Sequence, residues 1–191
     1  FELTSAQKKV LKQIESDLTS GNLMNRLLQG DVGSGKTLVA IIGALYLIRA
    51  GQQVALMAPT EILANQHYQR WNLILKEFGI EVALITGGQS KEKNELVEKI
   101  RQGKIHLVIG THALLEDYVQ FHRLGLVIVD EQHRFGVKQR SQLKEKAIVP
   151  HLLVMSATPI PRTLALTLYG DLDVSILDEK PKGRKPVETV A

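Results

Sequence analysis

The chain has 191 residues, 44% hydrophobic and 23% charged, the make-up of one soluble globular domain large enough to bury a core. It contains no cysteine, which excludes disulfides and thiolate zinc sites and fits a reducing cytoplasm, and no apolar run approaches the roughly 18 residues that span a bilayer. The net charge of +4 and a pI near 9.3 permit contact with nucleic acid without arguing for it.

In chain order, the pattern predicts a helix over 5–20, a short strand over 26–29, and a helix over 36–50. A strand at 54–58 precedes a helix at 61–78, a strand at 82–86 precedes a helix at 91–102, and strands follow at 107–110, 126–130 and 152–156. A helix over 162–168 and a last strand over 174–177 complete the series. The strand runs are rich in Val, Ile and Leu and nearly continuous, as befits strands buried on both faces of a parallel sheet. Gly51, Gly79 and Gly103 fall just past helices, where a left-handed cap is expected. Repeated β-α units imply an α/β sandwich with right-handed crossovers, in which ligands collect beyond the carboxyl ends of the strands.

Between the first strand and the second helix lies Gly30-Asp31-Val32-Gly33-Ser34-Gly35-Lys36-Thr37, a complete G-x-x-x-x-G-K-[ST] phosphate loop. Small glycines let backbone N–H groups turn inward around a β-phosphate. Lys36 supplies a point charge to the β and γ oxygens, and the Thr37 hydroxyl suits a Mg²⁺ ion. The strand before it (Arg26-Leu27-Leu28) and the helix after it are both in place, so the helix N-terminus faces the anion.

Downstream, Leu126-Val127-Ile128-Val129 runs into Asp130-Glu131-Gln132-His133, an apolar strand ending in two acids. Asp130 is placed to hold Mg²⁺ and Glu131 to polarise an attacking water. Alone, a strand followed by Asp-Glu is often a solvated turn; a phosphate loop upstream supplies the missing half of an ATPase site. Lys36, Asp130 and Glu131 are therefore the catalytic candidates, with ATP and Mg²⁺ as ligands. His133 reads as a coupling residue, not a base.

With these motifs in order, the chain resembles superfamily 2 helicases over nearly its whole length. Phe1 and Leu3-Thr4-Ser5-Ala6-Gln7 resemble the Q motif, which implies adenine contacts from Phe1, Leu3 and Gln7. The stretch from Ala58 to Gln66 resembles motif Ia, Thr86-Gly87-Gly88 motif Ic, Gly110-Thr111-His112 motif Ib, and Ser156-Ala157-Thr158 motif III. The resemblance implies a RecA-like P-loop NTPase fold with a mostly parallel sheet sandwiched by helices. It also implies DNA contacts at Thr60, Gly87, Gly88, Thr111 and His112, and coupling roles for Gln132, His133, Arg134, Ser156, Thr158 and Arg162. Backbone-directed contacts of this kind carry no sequence information, as a tracking motor requires. Thr60 reads equally as a helix cap, and Gly87-Gly88 as an ordinary loop pair.

The runs from Asp130 to Val137 and from Thr158 to Ala165 resemble the RecG family of fork and Holliday-junction translocases. The alternative is a lobe similar to the transcription-repair coupling factor Mfd, which displaces DNA-bound protein; Gln132 and the 58–64 stretch favour RecG. This resemblance implies a cytoplasmic, nucleoid-associated bacterial protein, monomeric, without membrane contact, acting on branched double-stranded DNA. The chain would be its first motor lobe (1–178), followed by a linker (179–191) containing the basic Pro181–Pro186 stretch. A second motor lobe with an arginine finger and a wedge domain would be supplied in cis.

Overall fold

Runs of Val, Ile and Leu separated by amphipathic stretches build alternating strands and helices. The computed structural model describes residues 2–88, 91–130, 149–158 and 172–179. Among these, helices α1 (Ser5–Thr19), α2 (Lys36–Arg49), α3 (Glu61–Lys76) and α4 (Lys91–Arg101) are interspersed with seven strands. The strands are β1 (Asn25–Gly30), β2 (Gln53–Met57), β3 (Val82–Ile85), β4 (Leu107–Gly110), β5 (Leu124–Asp130), β6 (His151–Ser156) and β7 (Asp173–Leu177). A 3-10 turn, His112–Leu115, was not foreseen as a helix. The expected helix at 162–168 and all of the expected linker except Glu179 lie outside the described residues.

The strands form one sheet in the order β3-β4-β2-β5-β6-β1-β7, and every neighbouring pair is parallel. Central strands are buried along their length, which is why their sequences show no polar alternation. Successive residues still face opposite sides. Leu28, Val54, Leu56, Leu107, Ile109, Leu126 and Ile128 join the core beneath α1, α2 and α3. Their neighbours Leu27, Ala55, Met57, Val108, Val127 and Val129 join the opposite core, with Ile100 of α4 and Leu114 and Leu115 of the 3-10 turn. Each fully buried Leu or Ile contributes about 1.5–3 kcal/mol to holding the layers together.

Helix starts follow local chemistry. Thr4 and Gln7 form a reciprocal capping box on α1: Gln7 N–H donates to Thr4 Oγ1 at 3.2 Å and Thr4 N–H to Gln7 Oε1 at 3.0 Å. Gly51, Gly79 and Gly103 have φ of 75°, 70° and 73°, as their positions after helices implied.

Two polar networks pin the layers. Arg26 on β1 is buried, donates from Nε to Asp17 of α1 at 2.7 Å, and donates from Nη1 to Ser175 Oγ of β7 at 2.8 Å. Gln53 is buried at the start of β2. Its amide donates to the carbonyls of Ile100 and Ile105, while Oε1 accepts the N–H groups of His122 and Arg123.

His151 opens β6, and its Nδ1 accepts the Met24 N–H at 2.9 Å. Burial pushes this imidazole below its ordinary value of 6.5, against a weaker opposite pull from Asp17. The unfolded chain therefore takes up the proton first as pH falls, so stability is complete above about pH 6.5 and declines below it. Urea unfolding at pH 7.5 and 5.5 checks this. His151→Asn, which keeps an acceptor but cannot titrate, should lose less stability over that interval than the parent chain.

Candidate active site

The chain leaves β1 toward β2, on the β6 side, and leaves β6 toward β7, on the other side of β1. Connections that part in opposite directions open a crevice at the carboxyl ends of β1 and β6. The loop from Gly30 to Thr37 hangs over that crevice. Gly33 and Gly35 take φ of 85° and 91°, which L side chains rarely adopt. A Cβ on Gly35 would also run into the Gln7 amide, so both backbone and space require glycine there.

Gly35 caps α2 without any side-chain hydrogen bond, so the first amides of a 14-residue helix point outward at the positive end of its dipole. Lys36 Nζ bends back to the carbonyls of Gly30 at 2.5 Å and Asp31 at 2.9 Å, spanning the loop it belongs to. Ser34 Oγ is buried and has no hydrogen-bond partner among the described residues. The loop thus carries amide, ammonium and hydroxyl donors within eight residues.

Gln7, expected at the adenine, sits against the phosphate loop. Its side chain is buried, its carbonyl accepts from Thr4, and its amide donates to Ser34 O at 3.0 Å. In this structure Gln7 braces the phosphate loop from behind, because the capping box of α1 draws it there. Leu3 packs against the α1–α2 core.

Asp130 ends β5. In register it stands beside Met155 of β6, and Met155 stands beside Leu28 of β1. Two inter-strand steps separate Asp130 from β1, about 10 Å at the backbone. Alternation along β5 decides the face: Leu126 and Ile128 lie on the α2–α3 side, so Asp130 does too. A register slip of one residue would turn the carboxylate to the opposite face. Instead it meets α3, where His67 Nε2 lies 2.6 Å from Asp130 Oδ2. No motif pattern pointed to His67.

Among the described residues no cluster of three or more His, Cys, Asp or Glu forms a metal cage. That is compatible with Mg²⁺, which prefers one or two protein oxygens, several waters and substrate phosphates. The Thr37 hydroxyl and Asp130 carboxylate are hard oxygen donors of the required kind, and the buried Ser34 hydroxyl of the same loop has no hydrogen-bond partner among the described residues.

Motif III is tied to the same rim. Ser156 Oγ accepts Thr158 N–H at 3.2 Å, and Gln29 beside Gly30 donates from Nε2 to Thr158 O at 3.1 Å. The five residues expected at DNA occupy the rest of the edge. Thr60, Gly87–Gly88 and Thr111–His112 follow β2, β3 and β4, three adjacent strands. Thr60 is exposed and does cap α3, accepting Leu63 N–H at 3.3 Å. Gly87 N–H donates to Glu61 Oε1 at 2.9 Å, and Lys93 Nζ donates to Thr86 O and Gly88 O. Phe1, Glu131, Gln132, His133, Arg134 and Arg162 lie outside the described residues.

The DEAD/DEAH box helicase family pattern matches residues 4–167. The ATP-dependent DNA helicase RecG of Aquifex aeolicus (strain VF5) is 57% identical over 192 residues, which cover 99% of this chain and 24% of that protein. RecG of Haemophilus influenzae (strain ATCC 51907 / DSM 11121 / KW20 / Rd) is 55% identical, covering 100% and 28%. The solved structure of RecG bound to a three-way DNA junction superposes with a TM-score of 0.83 at 51% identity, covering 98% of this chain and 25% of that one. The UvsW helicase of bacteriophage T4, at 19% identity, shares the fold with a TM-score of 0.68 over 95% of this chain and 61% of its own. The chain spans about a quarter of the length of the RecG proteins it matches. The Mfd-like alternative is not favoured, since these strong relatives are RecG proteins. A phosphate loop and a strand-end aspartate on one rim, in a sheet of this order, are what such a motor needs; the chain belongs to the DEAD/DEAH box helicase family and is similar to RecG proteins along nearly all of its length.

Proposed function

We propose that this chain is the ATP-binding first motor lobe of a double-stranded-DNA translocase that remodels stalled forks and Holliday junctions in recombination and repair. One observation carries the reading: the phosphate loop and Asp130 flank a single strand, β6, on the edge where the expected DNA-facing residues also lie. The similarity to RecG proteins, one of them solved on a three-way junction, supports branched DNA as the substrate. The cellular setting is the bacterial cytoplasm at the nucleoid; among the described residues no helix is long and apolar enough to cross a membrane. The protein acts as a monomer whose second motor lobe and wedge domain are joined in cis.

In this mechanism the amides of Gly33, Gly35 and Lys36 cradle the β-phosphate of ATP. Lys36 exchanges its loop carbonyls for β and γ oxygens. Thr37 and Asp130 would hold Mg²⁺, which would supply positive charge against the phosphate oxygens. Glu131 polarises the water that attacks in line. Phe1, Leu3 and Gln7 contact the adenine, and Gln7 also braces the loop through Ser34. Thr60, Gly87, Gly88, Thr111 and His112 meet DNA phosphates. Ser156, Thr158, Gln132, His133, Arg134 and Arg162 relay the nucleotide state to the second lobe. An arginine finger is worth roughly 10³–10⁵ in turnover. If the finger sits on the second lobe, this lobe alone binds ATP but hydrolyses it feebly.

Calorimetric titration of Mg²⁺-ATP into this chain should show binding that Lys36→Ala weakens at least about tenfold, the loss of one close charge contact being worth 1.4 kcal/mol or more. Equal affinities would remove the phosphate-loop assignment. In the full-length protein, Glu131→Gln should keep ATP binding and lose turnover. Brisk DNA-stimulated hydrolysis by this chain alone would refute the dependence on a second lobe.

A further inference from the structure

His67 and Asp130 are 63 positions apart in sequence, yet His67 Nε2 and Asp130 Oδ2 meet at 2.6 Å. Both side chains are largely withdrawn from water, at 13% and 17% exposure, where a hydrogen bond to a carboxylate is stronger than at an open surface. A carboxylate accepts, so the ring N–H at Nε2 donates. Holding one carboxylate oxygen fixes the plane of the group, and with it the direction the second oxygen presents to a cation. The mount is rigid: on α3, Ala64 and Trp71 on either side of His67 in the helix, and Leu75 one turn further on, are fully buried beneath the same core as α2.

We propose that His67 is a positioning residue for the magnesium-holding acid, orienting Asp130 at the end of β5 toward the phosphate loop. The proposal rests on the reading of Asp130 as the metal ligand. Partners that hydrogen-bond a ligating carboxylate typically contribute 10–100-fold to metal affinity. A bond that merely packed α3 on the sheet would affect folding and leave the metal alone, so the two roles separate experimentally.

The measurement is ADP affinity of the full-length protein with Mg²⁺ and with EDTA, whose ratio is the increment the metal supplies. His67→Leu should cut that increment by about tenfold or more while leaving the EDTA affinity near the parent value. His67→Gln, whose amide nitrogen reaches as far as Nε2, should restore most of it, and His67→Asn, one methylene shorter, should not. The Gln and Asn pair carries the test if His67→Leu fails to fold. An unchanged increment, or an equal loss with Mg²⁺ and EDTA, overturns the proposal. Asp130→Asn separates the two levels. If it abolishes the increment while His67→Leu leaves it intact, only the role of His67 falls; if it too leaves the increment intact, the metal-ligand reading of Asp130 falls with it.

Discussion

The seven strands among the described residues all run in the same direction, and the rest of the molecule depends on that constraint. A parallel sheet sends every strand's carboxyl end to one edge, so loops distant in sequence become neighbours there. The edge divides without overlap. The ends of β1, β5 and β6 hold the phosphate loop, the acid and motif III, while the ends of β2, β3 and β4 hold the residues suited to a nucleic-acid backbone.

Register and alternation turn this arrangement into chemistry. Asp130, Met155 and Leu28 stand abreast across three strands, and the pleat sends Asp130 to the face that carries α2. The anion side is made chiefly of backbone: amides at an uncapped helix start, shaped by glycines at positive φ and stiffened from behind by Gln7. Backbone donors are fixed by the fold itself, so little reorganisation is needed when charge arrives.

Much of this was legible in the residues. Continuous apolar runs located every strand among the described residues to within a residue or two, and the phosphate loop and terminal acid were recognisable because each depends on a local spacing. The misses have physical causes. Gly125 interrupts the apolar run of β5, hiding its start at Leu124. Gln53 looks like a loop residue, but four hydrogen bonds let it enter β2 buried. The bonds that hold Gln7 in the cap of its own helix and against Ser34 of the phosphate loop were not foreseen, because the second joins residues 27 positions apart. His67 and His151 act through partners 63 and 127 positions away, which no local pattern encodes.

The place of β6 has a kinetic consequence. It lies between β1 and β5 in the sheet, yet it is made after both, so the gap between the two halves of the nucleotide rim closes only once residues 151–156 arrive. During synthesis the phosphate loop emerges before β6 and must wait, with its flanking strand lacking a neighbour, for more than a hundred further residues. Long-range parallel pairings of this sort are slow to form and leave apolar edges open meanwhile. Nucleotide capture should therefore be among the last properties the nascent lobe acquires, and premature termination before β6 would yield a chain that displays the loop without the means to use it.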